Sequence, residues 1–211
     1  MGGLILTGGS LEIEFAKEYI RTHAFDTVIA ADKGLCYAKE LGITPDVILG
    51  DFDSCDKSYL DSYSTKDKTL FPCEKDDTDT GLALKKACDM KLDHVTILGA
   101  IGTRMDHVLG NLGQLLYARE HGMKALIVDN HNRIQLAQNP MKIRKQEQFG
   151  TYISLLPIGD VTGVTLSGFK YPLHDDTLKF QITWGISNEL IEDEGVISYK
   201  DGILFIMETR D

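Results

Sequence analysis

The chain has 211 residues, 43% of them hydrophobic, and sets 32 acidic against 22 basic side chains for a formal net charge of -10. That length supports one substantial core or two small ones. The acidic balance argues against a partner held through an extended phosphate backbone, since nucleic-acid binding needs clustered Lys and Arg; the one basic cluster, Lys142, Arg144 and Lys145, reads as a solvated loop. A polyphosphate would suit such a chain best as a complex with a divalent metal, whose charge reverses the local electrostatics.

No membrane partner is expected, because no apolar run approaches the ~20 residues that span a bilayer. Cys36, Cys55, Cys73 and Cys88 include no C-x-x-C pair, the usage of a reduced cytoplasmic protein. The amino terminus shows no basic region ahead of a long apolar stretch, so no signal peptide is expected. Met1-Gly2 is followed at position 6 by Leu6, where a myristoylation signal needs Ser or Thr.

In chain order, residues 3–6 read as a buried strand ending in Thr7-Gly8-Gly9-Ser10, after which Leu11, Phe15 and Tyr19 recur at helical spacing. A glycine turn between strand and helix can turn bare N–H groups toward phosphate, and a plain tight turn has the same composition. A second strand, residues 27–31, closes on Asp32-Lys33-Gly34, and the helix after it carries Leu35, Ala38 and Leu41 before Gly42. A third, residues 47–50, delivers Gly50-Asp51-Phe52-Asp53-Ser54; Leu70 and Phe71 suggest a short fourth before Pro72.

The pair Asp51 and Asp53 would share one face if the strand persists through Phe52. Two carboxylates about 4 Å apart repel by roughly 1 kcal/mol in water and about 4 kcal/mol at an effective dielectric near 20, a cost that a cation removes. The competing reading is a solvated acidic turn. Asp76-Asp77-Thr78-Asp79-Thr80 then opens an amphipathic helix ending near Met90. One or two acids there serve as cap and dipole partner. Three within four residues exceed that need and point to metal or phosphate binding for at least Asp79.

Residues 94–98 form a fifth strand, closed by Gly99-Ala100-Ile101-Gly102-Thr103 and followed by Arg104-Met105-Asp106-His107, with Asn111 one helical turn on. Met105, Val108, Leu109, Leu112, Leu115 and Leu116 trace the expected buried stripe. Arg104 is unfavourable to the dipole at a helix amino terminus and makes sense there if it grips an anion. His107 reads first as a hydrogen-bonded residue ordering the loop. With residues 124–128 as a sixth strand, the alternation predicts a doubly wound, mostly parallel sheet with flanking helices. Gly8, Asp32, Asp51, Asp53 and Arg104 all follow strand ends, the side on which such sheets bind ligands.

After Asn130 helical periodicity gives way to short strands at residues 134–137, 152–156, 161–166, 178–183, 196–199 and 203–207. The last two are joined by a hairpin turn expected at Lys200-Asp201-Gly202. This predicts an antiparallel β-sandwich over residues 131–211 beside an α/β domain over 1–130. Trp184-Gly185-Ile186-Ser187-Asn188 and Phe205 could hold a flat heterocycle; as core, turn and core respectively, Trp184, Ser187-Asn188 and Phe205 need no ligand.

Taken in order, the residue 50–54 motif, the Asp76 to Thr80 run before a helix, and Gly99 through Arg104, Asp106, His107 and Asn111 resemble the thiamine pyrophosphokinase family, and the resemblance spans nearly the whole chain. It implies transfer of pyrophosphate from ATP to the hydroxyethyl group of thiamine, giving thiamine diphosphate and AMP. On it, Asp51, Asp53 and Asp79 are expected to bind Mg²⁺ and, with Arg104 on the phosphates, to carry catalysis; Asp32 and Asp106 extend the acidic cluster. Ser187 and Asn188 resemble a Ser-Asn pair that contacts thiamine, and Phe205 stands near the place of a stacking Trp. Gly8, Gly9, Thr78, His107 and Asn111 complete the expected ligand-binding set. The resemblance also implies a homodimer, with active sites between the α/β domain of one chain and the β domain of the other. Lys33 departs from the Asp-Gly-Gly of some relatives and has no expected role. The alternatives are diphosphate transfer to another hydroxymethyl heterocycle, such as a pterin, and a Mg-nucleotide or thiamine sensor without turnover.

Overall fold

The structure is a computed structural model and describes residues 1–50, 67–70 and 77–211. Asp51, Asp53, Phe71 and Asp76 lie outside the described residues. Contacts divide the chain into two compact units, Met1–Asn130 and His131–Asp211.

In the first unit β1 (Gly2–Leu6), β2 (Thr27–Ala31), β3 (Val47–Gly50), β4 (Asp67–Leu70), β5 (His94–Leu98) and β6 (Lys124–Val128) pair in the order β4-β3-β2-β1-β5-β6. Every pairing is parallel. Parallel strands are covered on both faces, which is why these segments are continuous apolar runs instead of alternating ones; β1 and β3 are buried at every position. The order makes β1 the point of reversal, with β2 on one side and β5 on the other.

Among the described residues four helices alternate with these strands: α1 (Ile13–Thr22), α2 (Gly34–Leu41), α3 (Asp79–Asp89) and α4 (Met105–Glu120). α1 starts past Leu11, because the Glu12 carboxylate caps it by accepting the Phe15 N–H. α4 departs from its expected stripe. It buries Asn111, Leu115 and Ala118, while Met105 and Leu109 are exposed. The apolar spacing selected a helix correctly but placed its inward face too near the amino terminus. Cys36 on α2 is disulfide-bonded and Cys88 is free. The chain is therefore not wholly reduced, since cysteines distant in sequence can pair without a C-x-x-C motif.

The second unit is entirely antiparallel: β7 (Asn132–Leu136), β8 (Met141–Arg144), β9 (Tyr152–Ser167), β10 (Leu173–Lys179), β11 (Glu194–Ser198) and β12 (Asp201–Thr209). The expected strands at 152–156 and 161–166 are one 16-residue strand. Gly159 and Gly163 take positive φ (72° and 69°), so the chain bends there without leaving the sheet. The first part of β9 pairs with β12 and the last part with β10 and β11. Because β9 lies between them, β11 and β12 do not form the expected hairpin. The expected basic loop is the edge strand β8, whose Lys142 pairs with Glu194 at 2.8 Å. Ile153, Leu155, Val164, Leu166, Ile197, Leu204 and Ile206 pack into the unit's core.

Candidate active site

The carboxyl ends of β1 and β5 open a crevice at the point where strand order reverses, the place where open α/β sheets bind ligands. A cleft of about 360 Å³ occupies it. Thr7, Gly8, Gly9 and Ser10 line it from the end of β1, and Asp32 and Lys33 from the end of β2. Thr78, Asp79 and Thr80 enter from the start of α3; Ala100, Gly102, Thr103 and Arg104 come from the β5–α4 loop, with His107 and Asn111 on α4. Eight of the expected ligand residues thus meet in one cavity: Gly8, Gly9, Asp32, Thr78, Asp79, Arg104, His107 and Asn111.

The glycine turn is fastened from behind. Gly9 N–H donates to Gly99 O and Ser10 N–H to Ile101 O, each at 2.7 Å. A Cβ on Gly9 would collide with those same carbonyl oxygens, so the close approach requires glycine. These two N–H groups are therefore not turned toward a ligand, which accords with the plain-turn reading for this part of the loop. Two buried polar contacts fix the remaining walls. The Thr7 and Thr80 hydroxyls share a hydrogen bond of 2.6 Å, and Asn111 Nδ2 donates to Ala100 O at 2.7 Å. Asn111 thus orders the β5–α4 loop, the task expected of His107. The His107 ring lines the cleft without a hydrogen bond among the described residues.

At the start of α3 the ordinary tasks go to Asp77 and Thr78. Thr78 Oγ1 caps the helix by accepting the Gly81 N–H at 3.1 Å, and Asp77 pairs with Lys85 at 2.7 Å. Asp79 faces the cleft instead. Asp32 holds a left-handed backbone (φ 49°) at the end of β2, with its N–H on Leu49 O and its carbonyl accepting from Leu35 N–H. Such backbone strain away from glycine concentrates at functional sites.

Arg104 is gripped by Asp106 through both donors, Nε to Oδ1 at 3.2 Å and Nη2 to Oδ2 at 2.7 Å. This fork, helped by the His107 N–H, lowers the Asp106 carboxyl to about 2, and Asp106 in turn raises the Arg104 guanidinium. Asp106 does not line the cleft; it positions the arginine that does. Among the described residues no three His, Cys, Asp or Glu side chains gather as a metal centre. Two of the three expected ligands, Asp51 and Asp53, lie outside them.

In the second unit, Ser187 also takes a left-handed backbone (φ 55°) and donates its N–H to Ser154 Oγ. Asn188, 1% exposed, accepts at Oδ1 from Tyr171 N–H and Glu189 N–H and donates from Nδ2 to Tyr171 O. Three of its four hydrogen-bond positions are thereby committed to the fold. Phe205 is 3% exposed and sits in β12 opposite Leu136 and Leu156, which accords with its core alternative. Trp184 is the reverse: expected as core, it is 63% exposed. Aromatic composition in the sequence flags Trp184 but says nothing of which way it faces.

A family model described as "Thiamin pyrophosphokinase, catalytic domain" matches residues 20–127, and one described as "Thiamin pyrophosphokinase, vitamin B1 binding domain" matches residues 138–204. A thiamine pyrophosphokinase of Bacillus subtilis is 34% identical over 186 residues, 87% of each chain. A solved thiamine pyrophosphokinase structure from Bacillus subtilis superposes with a TM-score of 0.88 at 32% identity, covering all of both chains. One from Geobacillus thermodenitrificans gives 0.84 at 30%, covering 100% of this chain and 98% of that one. Fold, cleft and matches define an ATP-dependent diphosphotransferase with a catalytic and a vitamin-binding part. The chain belongs to the thiamin pyrophosphokinase family. Nothing in these matches supports the pterin or sensor alternatives.

Proposed function

We propose that this chain moves the terminal pyrophosphate of ATP onto thiamine in the cleft between the ends of β1 and β5. The thiamine hydroxyl oxygen bonds to the β-phosphorus, the bond from that phosphorus to the α-bridging oxygen breaks, and AMP leaves with that oxygen while the hydroxyl proton goes to solvent. The observation that carries the reading is the meeting of Asp79, Asp32, Arg104 and the Gly8-Gly9 turn in one cavity at the strand-order reversal. Phosphoryl chemistry of this kind depends chiefly on positioning and on neutralising oxygen charge.

The donors fit Mg²⁺: the cleft offers carboxylates and Thr hydroxyls, with no thiolate or imidazole cluster among the described residues. Asp79, with Asp51 and Asp53, would hold it. The ion would supply charge neutralisation on the polyphosphate. Arg104, kept in place by Asp106, meets phosphate oxygens. Thr78 fixes the helix start that presents Asp79, while Asn111 and the Gly8-Gly9 turn shape the wall and His107 borders it. For thiamine, the residue 184–188 segment is the contact surface. Leu155 N–H binds Gly185 O at 2.7 Å and Ile153 exchanges two backbone hydrogen bonds with Asn188, so the segment is held rigidly. Its exposed Trp184 is better placed than buried Phe205 to stack on a flat ring.

A homodimer with active sites shared between chains is the assembly we infer, and exposed Met105 and Leu109 on α4 and Phe180, Trp184 and Ile191 in the second unit supply apolar surface for it. No helix among the described residues is long and apolar enough to cross a membrane. Cytoplasmic residence suits a protein that consumes ATP, and there the Cys36 disulfide would meet a reducing thiol pool.

Phosphorus NMR of protein with ATP, Mg²⁺ and thiamine is expected to show AMP and thiamine diphosphate rising together; ADP without AMP would overturn pyrophosphoryl transfer. Asp79→Asn is expected to lower kcat by roughly 100-fold or more, the scale on which disturbed metal sites lose activity.

A further inference from the structure

We propose that Lys33 binds the triphosphate of ATP, an assignment that rests on the reading of this cleft as the nucleotide site. Lys33 follows Asp32 at the end of β2, precedes α2 and lines the cleft. Its stem lies beside the glycine turn, since a Cβ on Gly8 would stand 3.5 Å from Lys33 Cβ. Its ammonium sits 5.2 Å from the centre of the Tyr37 ring. That ring is buried on α2, and its hydroxyl donates to Gly9 O at 2.6 Å. Tyr37 therefore couples the cation to the turn itself.

Two observations give the cation its task. The Gly9 and Ser10 N–H groups are consumed by Gly99 O and Ile101 O, so the turn keeps fewer backbone donors for a polyphosphate than an open loop does. Side chains supply the positive charge, and Arg104, whose charge is shared with Asp106, covers only one wall of the cleft. Lys33 has no ion pair among the described residues. A contact to an aromatic face is weak at an exposed site, and a phosphate oxygen can displace it. The other titratable groups lining the cleft are Asp32, Asp79 and His107. With a cation bound by the acids, Lys33 becomes the lateral positive charge on the nucleotide, acting as a point charge in the manner of phosphate-binding lysines.

The test uses the full chain and two variants. Lys33→Met keeps the stem against Tyr37 and removes the charge, and Lys33→Arg restores it. Calorimetry with a non-hydrolysable ATP analogue and Mg²⁺ is expected to show roughly 10- to 100-fold weaker binding for Lys33→Met. Binding of adenosine and the KM for thiamine should be unchanged, and Lys33→Arg should recover most of the loss. Unaltered affinity of Lys33→Met for the analogue would overturn the proposal, as would an equal loss for adenosine, which marks a merely structural role. Phosphorus NMR on the wild type separates this from the reaction itself: Lys33-dependent analogue binding with ADP as product keeps Lys33 on the phosphates and overturns the diphosphotransferase.

Discussion

Arg104–Asp106 in the α/β unit and Arg133–Glu208 in the β unit are both bidentate arginine–carboxylate forks, and the two are put to opposite uses. In the α/β unit Arg104 and Asp106 are 69% and 66% exposed at the rim of the cleft. In the β unit Arg133 and Glu208 are 25% and 1% exposed, and the Phe149 N–H also donates to the Glu208 carboxylate. The first fork holds a cation where an incoming anion can compete for it. The second buries its carboxylate and clamps β7 to β12 and to the residue 145–149 turn, since Arg133 also donates to Glu147 O. The same division runs through the other buried polar groups. Thr7, Thr80 and Asn111 fasten loops around a cavity, whereas Asn188 and Glu208 fasten strands and turns of the fold itself. Polar residues in the first unit thus keep a ligand site in shape, and those in the second hold the platform.

The sharpest break of this comparison is Arg133→Met, which strands a buried carboxylate. We expect a loss of about 3 kcal/mol, near the low end for one-sided removal of a buried pair because Arg133 is partly solvated. Urea unfolding followed by circular dichroism reads it; Arg104→Met, at the exposed fork, should leave that midpoint nearly unchanged while lowering turnover. Equal destabilisation by both would erase the distinction between the forks.

Next in size is a contrast within the residue 184–188 segment. Asn188→Ala leaves Tyr171 N–H, Tyr171 O and Glu189 N–H without their side-chain partner and is expected to cost about 2 kcal/mol of stability. Trp184→Ala removes an exposed ring, so it should leave the melting temperature in place and raise the KM for thiamine roughly tenfold, the scale of a lost stacking contact. A Trp184→Ala protein that melts early but binds thiamine normally would return that ring to a structural role.

The α/β unit was largely legible because its strands are apolar runs with polar ends, and a parallel strand's pattern depends only on being buried. Asp32, Asp79 and Arg104 could be placed at strand and helix ends from spacing alone, and they do meet in one cleft. The β unit was less legible because an antiparallel strand's partner is chosen at long range. Nothing local to Lys200-Asp201-Gly202 shows that β9 lies between β11 and β12, and Pro157 and Gly159 mimic a turn inside a strand that runs on. Periodicity also fails to say what covers an apolar face: Met105 and Leu109 fit a helical stripe and are exposed, and Trp184 looked like core. Nor can a Gly-Gly turn show that its N–H groups are spent on a neighbouring loop.

The smallest effect expected is at the exposed fork, in its response to acid. The Asp106 carboxyl titrates at about 2 in place of 3.8, chiefly because Arg104 hydrogen-bonds the ionised form and next because the His107 N–H does. A carboxyl lowered in this way contributes stability that is fully present above the unfolded value, near 3.8, and lost as pH falls through about 2. Arg104 therefore stays tethered throughout the neutral range, and its hold on phosphate should carry no pH dependence from Asp106 there. Carbon-detected NMR of the side-chain carboxyl should give a midpoint near 2 in the wild type and one moved toward 3.8 in Arg104→Met. A wild-type midpoint at the ordinary aspartate value would mean that the fork is not formed in solution. Arg104 would then reach the cleft untethered, and Asp106 would lose its positioning role.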